Sequence, residues 1–289
     1  MALELPIGAN GEVLWLPTDI GPGPELTRIL ADPTYVVQEK QDGIHKACTK
    51  SESSDKINAY NRKGGPNPLA PALAAKLASI PRATILDAEE LHFAAGLVIF
   101  DLLQFDGRDL RNEPYCERYR IARDLLLPLC EPPVTLAEWI TDEADKVAFL
   151  EALRTKRAEG AIFKSCTAPY RPGRPTDGGP MRRLKFKQRA EIVCQRRPLR
   201  TGETRSFDMF VFTPPRLQSV GRVSARHFYD DLKESQSAIA EVEYLYATPD
   251  NKLYQPVFIR WRPDKTLADC TLSQFVLGGR FTRPRRVRP

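Results

Sequence analysis

A lysine suited to act as a nucleophile, Lys40, lies in the run Glu39-Lys40-Gln41-Asp42-Gly43. An amine attacks only after it has lost its proton, and nearby cations favour that loss. The chain supplies further cations downstream at Lys164, Lys185 and Lys187. On its own the run also fits a solvated Asp-Gly turn. Whether it carries chemistry therefore depends on its companions.

The companions are short motifs that follow Lys40 in a fixed order. They are Asn61-Arg62-Lys63-Gly64, Leu86-Asp87-Ala88-Glu89, Phe100-Asp101-Leu102-Leu103-Gln104-Phe105-Asp106-Gly107, Glu159-Gly160-Ala161-Ile162-Phe163-Lys164, Leu184-Lys185-Phe186-Lys187 and Arg260-Trp261-Arg262-Pro263-Asp264-Lys265. This series resembles the covalent nucleotidyltransferase superfamily, and most closely the ATP-dependent DNA ligases of minimal size. The resemblance extends from Tyr35 to Cys270.

The resemblance implies a fold, a substrate and a reaction. It implies ATP and Mg²⁺ as cofactors, nicked double-stranded DNA as partner, and sealing of the 5′-phosphate to the 3′-OH through a lysyl-AMP intermediate on Lys40. Attack on the α-phosphorus puts negative charge on phosphate oxygens and pyrophosphate, which cations must stabilise. Lys185 and Lys187 are expected to alternate on one strand and to face that charge together.

The resemblance also assigns the other site residues. Those expected to contact the nucleotide are Gln38, Glu39, His45, Arg62, Glu89, Phe100, Glu159, Lys164, Arg262, Asp264 and Lys265. Phe100 is expected to stack on adenine, and Gln38 to read its amino group. Glu89 and Glu159 are the expected metal ligands, because carboxylate oxygens suit Mg²⁺.

Three positions depart from the family pattern. His45 stands where the first motif usually ends in arginine, so either His45 still contacts the nucleotide or DNA end, or the neighbouring Lys46 supplies the charge. Ala88 replaces a usual glycine, and Asn61 replaces a usual hydroxyl residue.

The elements that must position these residues are short. Strands are predicted over 35–39, 44–50, 56–60, 84–92, 96–105, 161–164 and 183–187, and helices near 25–31, 68–79, 116–128 and 144–159. Beyond Gln188 the predicted strands are 190–195, 206–212, 217–224, 239–246 and 256–261. Five short strands of this kind suit a small oligonucleotide-binding (OB) barrel.

We therefore expect an α+β protein of two domains. Residues 1–189 would form an adenylation domain of antiparallel sheets with helices. Residues 190–289 would form an OB-fold domain that ends in a basic tail and carries Arg262, Asp264 and Lys265 over the ATP site. Because 39 residues precede Lys40, we expect no large DNA-encircling domain before it.

Charge and composition fit a nucleic-acid partner. The net charge is +6, and 28% of the residues are charged. The basic residues expected to contact nucleic acid are Arg171, Arg174, Arg182, Arg183, Arg196, Arg197 and Arg200, together with the arginines after Gly279. The six cysteines show no zinc or disulfide spacing,. We expect a cytoplasmic monomer, in a bacterium or a phage-infected cell, without a signal peptide or membrane span.

Other functions share these motifs. An RNA ligase uses the same nucleotidyl-lysine, and an mRNA-capping enzyme uses GTP instead of ATP. A non-catalytic nucleic-acid-binding protein could also retain the fold. An enzyme is favoured by the intact set of Lys40, Glu89, Glu159, Lys185 and Lys187.

Overall fold

The chain forms two compact units, 1–185 and 186–289, in the computed structural model. The structure describes residues 5, 7–8, 10–81, 83–91, 96–126, 128, 132–176, 178–199, 201–202 and 204–278. The predicted basic tail after Gly279 lies outside the described residues, as do His92, Cys130 and Arg200. The five described cysteines are free. No helix in these ranges is both long and apolar enough to cross a membrane.

The first unit consists of two antiparallel sheets with helices. Its strands are β1 (Thr18–Asp19), β2 (Tyr35–Glu39), β3 (Gly43–Lys50), β4 (Ile57–Tyr60), β5 (Thr84–Leu91), β6 (Leu97–Phe105), β7 (Arg108–Asp109), β8 (Val134–Leu136), β9 (Gly160–Ser165) and β10 (Met181–Lys185). Its helices are α1 (Pro24–Ala31), α2 (Pro71–Leu77), α3 (Tyr115–Leu126) and α4 (Glu143–Thr155).

The two sheets divide the site motifs between them. One sheet has the order β1-β10-β9-β2, with only β1 parallel to its neighbour. The other has the order β4-β3-β5-β6-β7, with β8 parallel to β6. A core that includes Leu86, Leu102 and Leu126 packs the second sheet against α2 and α3.

Two buried lysines hold helix ends in this unit. Lys50 donates to the carbonyl oxygens of Ala78 and Ile80, just beyond α2, at 2.6 and 2.9 Å. Lys146 does the same for Ile29 and Asp32 at the end of α1. The last carbonyls of a helix have no partner within it, so these amines stabilise both helix ends.

The predicted element boundaries need two corrections. The helix expected over 144–159 ends at Thr155, because Arg157 takes a left-handed backbone (φ 55°) and turns the chain. Glu159 therefore lies just before β9. The strand expected over 183–187 ends at Lys185, and the next strand begins at Gln188, so Lys185 and Lys187 do not share a strand.

The second unit is built on an antiparallel sheet. Its strands are β11 (Gln188–Arg196), β12 (Ser206–Thr213), β13 (Arg216–Ser224), β14 (Ser237–Tyr244), β15 (Tyr246–Ala247), β16 (Leu253–Tyr254) and β17 (Val257–Trp261). Five of them form one sheet in the order β13-β12-β11-β14-β17. Its core contains Phe207, Met209 and Val242, all fully buried. The boundary predicted at 189 falls within β11.

Candidate active site

Strand register brings Lys40 and Lys185 to either side of one residue, Gly160. Antiparallel pairing aligns Lys185 with Gly160, and Lys40 N–H donates to the Gly160 carbonyl at 3.0 Å. A Cβ atom at position 160 would lie 2.0 Å from the Leu184 carbonyl oxygen. Only glycine allows this approach, which explains the glycine that follows Glu159.

Glu159 joins the two lysines. Its Oε2 accepts a hydrogen bond from Lys40 Nζ at 2.7 Å, and its Oε1 lies 3.7 Å from Lys185 Nζ. All three side chains are largely buried. Burial lowers the pKa of Lys185, and the charge of Lys40 lowers it further, whereas Glu159 opposes both. The group is thus a close arrangement of two amines around one carboxylate.

The second sheet supplies acidic residues to the same cleft. Asp87 and Glu89 alternate on β5, so both face one side, while Ala88 between them is buried in the core,. The core position of Ala88 explains why it can replace the usual glycine. Gly43 allows β3 to approach here, because a Cβ atom there would lie 2.2 Å from the Glu90 carbonyl oxygen.

His45 faces the cleft, and Lys46 does not. His45 Nε2 lies 2.5 Å from Asp87 Oδ1, and Asp87 Oδ2 accepts from Tyr170 at 2.9 Å. Burial lowers the pKa of His45, but Asp87 and Glu89 together raise it, and the net shift is upward. Lys46 is buried, pairs with Glu90 and donates to the Pro68 carbonyl, so it is not available to a ligand in the cleft.

Several of these residues line one cleft of about 240 Å³, whereas Glu159 and Lys185 are not among its lining residues. Of the predicted residues of the first unit, it contains Gln38, Glu39, Lys40, His45, Arg62, Glu89, Phe100 and Lys164. Burial raises the pKa of Glu89, although the charges of His45 and Lys40 act to lower it. Glu89 has no hydrogen-bond or ion-pair partner among the described residues. Glu39 Oε2 is paired with Lys156 Nζ at 2.6 Å.

A polar network fixes the orientation of Gln38. Its Nε2 donates to the Glu138 carbonyl and to Tyr115 Oη, each at 3.0 Å. Tyr115 in turn donates its only hydroxyl proton to the Phe100 carbonyl at 2.9 Å, so it must accept from Gln38,. The Gln38 oxygen is therefore the atom left to accept from a ligand.

Lys164 and Phe100 lie beside this network. Lys164 Nζ donates to the Phe100 carbonyl at 3.2 Å and lies 5.1 Å from the Phe100 ring centroid. Burial lowers the pKa of Lys164. The His45 and Phe100 ring centroids are 5.5 Å apart.

The residues predicted by charge alone have varied environments. Among them, Arg174 lines the cleft, as does Arg62, which was predicted from its motif. Arg182 is buried, donates to Thr18 and pairs with Glu25, so it cannot serve an exposed nucleic-acid surface. The other predicted arginines pair as follows: Arg171 with Asn112, Arg183 with Asp19, Arg196 with Asp230 and Arg197 with Asp208.

The remaining predicted residues belong to the second unit. Lys187 Nζ donates to Glu243 Oε1 at 2.6 Å, and Lys265 Nζ lies 3.5 Å from Asp269 Oδ1. Arg262 forms a two-pronged pair with Asp264 at 2.8 and 2.7 Å. Their hydrogen bond raises the pKa of the guanidinium and lowers that of the carboxyl.

Sequence reasoning gave no role to Asp87, Tyr115 or Arg118. The alternation of Asp87 with Glu89 was the available signal. Tyr115 and Arg118 lie outside the motifs, 8 and 11 residues after Gly107, and reach the site from α3. Arg118 is fully buried and binds Asp101 through Nε and Nη2, each at 2.8 Å.

Comparison with known proteins connects this geometry to a family. A model of the ATP dependent DNA ligase domain matches residues 76–185. The chain is 39% identical over 79 residues to DNA ligase 1 of Korarchaeum cryptofilum (strain OPF8), which is 27% of this chain and 14% of that protein. It is 40% identical over 77 residues to a probable DNA ligase of Mycobacterium sp. (strain KMS), which is 26% of this chain and 14% of that protein.

The fold is also shared with a solved ligase. A structure from a study of Lig E DNA ligases superposes with a TM-score of 0.62 and 17% identity, over 86% of this chain and 98% of that one. The likeness shows a common fold, a mixed arrangement of antiparallel sheets with few helices. These matches agree with the resemblance drawn from the motifs, and residues 76–185 are similar to the ATP dependent DNA ligase domain.

Proposed function

We propose that the chain is an ATP-dependent DNA ligase that seals nicks in duplex DNA through an adenylate on Lys40. The observation that carries the proposal is the arrangement of Lys40, Glu159 and Lys185, in which one carboxylate contacts two amines and Lys40 also lines the cleft. The ligase relatives support DNA as the acceptor.

In the first step the Lys40 amine, having lost a proton to water, attacks the α-phosphorus of ATP. A phosphorus–nitrogen bond forms, the bond from the α-phosphorus to the bridging oxygen breaks, and pyrophosphate leaves. Glu159 orients Lys40 before attack, and Lys185 stabilises the charge on the α-phosphate oxygens.

The second unit supplies further cations in this proposal. By resemblance, Lys187 also contacts the α-phosphate, and Arg262, Asp264 and Lys265 orient the β- and γ-phosphates. The ion pairs that these residues now form with one another or with nearby acids would have to be exchanged for phosphate contacts.

The cleft favours adenine over guanine. Gln38 offers an acceptor, because both its amide protons are already used. The adenine amino group is a donor and matches it, whereas guanine presents a carbonyl oxygen at the same place. Phe100, half-buried and lining the cleft, offers a ring on which the base stacks,.

The acidic residues fit Mg²⁺. Glu89 is a half-buried carboxylate without a partner among the described residues, and its raised pKa reflects the cost of that burial, which a cation would offset,. Glu89 and Glu159 would hold the ion together with substrate phosphates. When bound, Mg²⁺ neutralises charge on the phosphates.

In the second step a 5′-phosphate oxygen at the nick attacks the adenylate phosphorus, the phosphorus–nitrogen bond breaks, and Lys40 regains a proton. In the third, the 3′-OH attacks that 5′-phosphate, its proton is lost and AMP leaves. Arg62 and Arg174 line the cleft without an ion-pair partner in the described part of the chain, which suits them to the nick phosphate.

We further propose that the second unit is an OB-fold domain. It has five strands in one antiparallel sheet, and the two edge strands of that sheet, β13 and β17, approach each other as they would in a partly closed barrel,. Its role would be to grip DNA and carry Arg262.

A transfer assay tests the proposal. The protein is incubated with Mg²⁺ and α-labelled ATP or GTP, then with nicked DNA or nicked RNA. We expect label on the protein from ATP only, followed by transfer to the 5′-phosphate of nicked DNA and sealing. Label from GTP would indicate a capping-type enzyme, transfer to RNA alone would indicate an RNA ligase, and absence of label would contradict catalysis.

A further inference from the structure

Arg183 is a cation of the cleft to which the proposed steps give no role. It lies on β10 two residues before Lys185, and alternate side chains of a strand project to the same face,. Arg182 and Leu184 are buried on the opposite face, whereas Arg183 lines the cleft. Arg183 and Lys185 therefore project from the same face of one strand,.

An acid on the adjacent strand holds Arg183. Parallel pairing of β1 with β10 places Asp19 opposite it. Arg183 Nε donates to Asp19 Oδ1 at 2.5 Å, and Nη2 donates to Oδ2 at 2.7 Å. This two-pronged geometry is the one that arginine also uses to bind phosphate. The carboxylate thus occupies the face of the guanidinium that a phosphate would take.

The neighbourhood favours an anion. Arg62, Arg174, Arg183 and Lys185 gather on this side of the first unit, and burial together with the charge of Arg183 lowers the pKa of Arg174. Burial lowers the pKa of Lys185, and the charges of Lys40 and Arg183 lower it further, although the Glu159 carboxylate acts to raise it. An incoming phosphate would relieve this repulsion.

We propose that Arg183 is a phosphate-binding residue of this cleft, and that Asp19 holds its guanidinium until a phosphate replaces the carboxylate. The inference rests on the proposed ligase function. The phosphate belongs either to the nucleotide or to the 5′ end at the nick, and the recognition chemistry is the same. Asp19 is 62% exposed and Arg183 18%. Exposed pairs are weak, so competition by Asp19 lowers phosphate affinity by at most about fivefold.

Binding measurements on the full chain test this proposal, with Lys40→Ala as the common background so that no turnover occurs. One arm compares ATP with adenosine, and the other compares a nick bearing a 5′-phosphate with one bearing a 5′-hydroxyl. The variants are Arg183→Ala, Arg183→Lys and Asp19→Asn. The matched controls are Arg111→Ala and Asp109→Asn, which break a two-pronged pair that does not line the cleft.

We expect Arg183→Ala to weaken binding of ATP or of the 5′-phosphate nick about ten- to hundredfold, and to leave the phosphate-free ligand unchanged. The arm that responds identifies the source of the phosphate. The affinity of Arg183→Lys should lie between those of the parent chain and Arg183→Ala, because lysine keeps the charge but cannot form the two-pronged contact. Asp19→Asn should tighten binding of the same ligand by up to about fivefold, and the controls should change nothing.

Opposite signs for the two partners distinguish this role from a structural one. A pair that only joins β1 to β10 would give the same direction of change for Asp19→Asn and Arg183→Ala, and that result would overturn the proposal. So would unchanged phosphate binding in both arms. The proposed ligase function fails separately, if the wild-type chain takes no adenylate from ATP, because these binding constants do not depend on turnover.

Discussion

Replacing Gln38 by methionine should reduce the preference for ATP over GTP. Gln38 is almost fully buried, and its amide protons are directed at the Glu138 carbonyl and Tyr115 Oη. The amide therefore cannot flip to present its NH2 group to a ligand without breaking both bonds. Methionine has a similar length but no strong acceptor.

The size of the effect follows from that one oxygen. With ATP, the substitution removes a hydrogen bond to the adenine amino group. With GTP, the substitution removes the repulsion between the Gln38 oxygen and the guanine carbonyl oxygen, which are both acceptors. A buried polar group left without its partner costs about 1–3 kcal/mol. The ratio of kcat/KM for ATP over GTP should therefore fall about 5- to 150-fold.

The assay is the initial rate of adenylate formation on the protein with each labelled nucleotide. Tyr115→Phe serves as the control, because it loosens Gln38 but leaves its Glu138 bond and its oxygen in place. Its nucleotide ratio should stay within about threefold of wild type. If Gln38→Met retains the wild-type ratio, the base is not selected by this oxygen.

Three further substitutions test the charges around the cleft. Glu159→Gln should slow adenylation on the order of a hundredfold in single-turnover labelling, because a neutral amide cannot balance the charges of Lys40 and Lys185. A change below about threefold would contradict this. Burial lowers the pKa of Lys164, so the unfolded chain binds more protons between that lowered value and 10.5,. Lys164→Met should therefore raise the Tm at pH 7, and the gain should shrink as the pH rises through that window; a gain independent of pH would refute the argument. Arg118→Met should cost about 3–5 kcal/mol in urea unfolding because it leaves Asp101 charged and buried,, and adding Asp101→Asn should recover part of the loss, whereas simple additivity would show that the two do not interact.

The motifs predicted which residues belong to the site, but not how the backbone brings some of them together. The order of short motifs pointed to Lys40, Glu159 and Lys185. Lys40 and Glu159 are 119 residues apart in the sequence. The register that places Lys40 and Lys185 around Gly160 depends on pairing between three strands. Such long-range pairing leaves no periodic signal in a single sequence.

Two errors came from extending local patterns too far. The pattern from 144 to 159 is helical in composition, but the helix ends where Arg157 takes a left-handed backbone. A left-handed residue after a helix is usually glycine, so arginine at this position gave no signal in the sequence. The lysines at 185 and 187 suggested one alternating strand, although β10 ends at the first of them. In both cases tertiary packing decided where the element ends, and propensity did not.

Buried partners were the least predictable part of the site. Tyr115 orients Gln38 from the first turn of α3, and nothing in its own neighbourhood in the sequence marks it. Its role is visible only once α3 packs beside β6. The departure at His45 was visible in the sequence, yet its partner Asp87 depends on the pairing of β3 with β5.

Mass spectrometry of the intact chain and its peptides, after incubation with ATP and Mg²⁺, tests the central claim most directly. We expect one added adenylyl group, located on Lys40 and absent from Lys40→Ala. Lys63→Ala should retain it, because Lys63 is exposed and does not line the cleft. No added group, or a group on another residue, would contradict it.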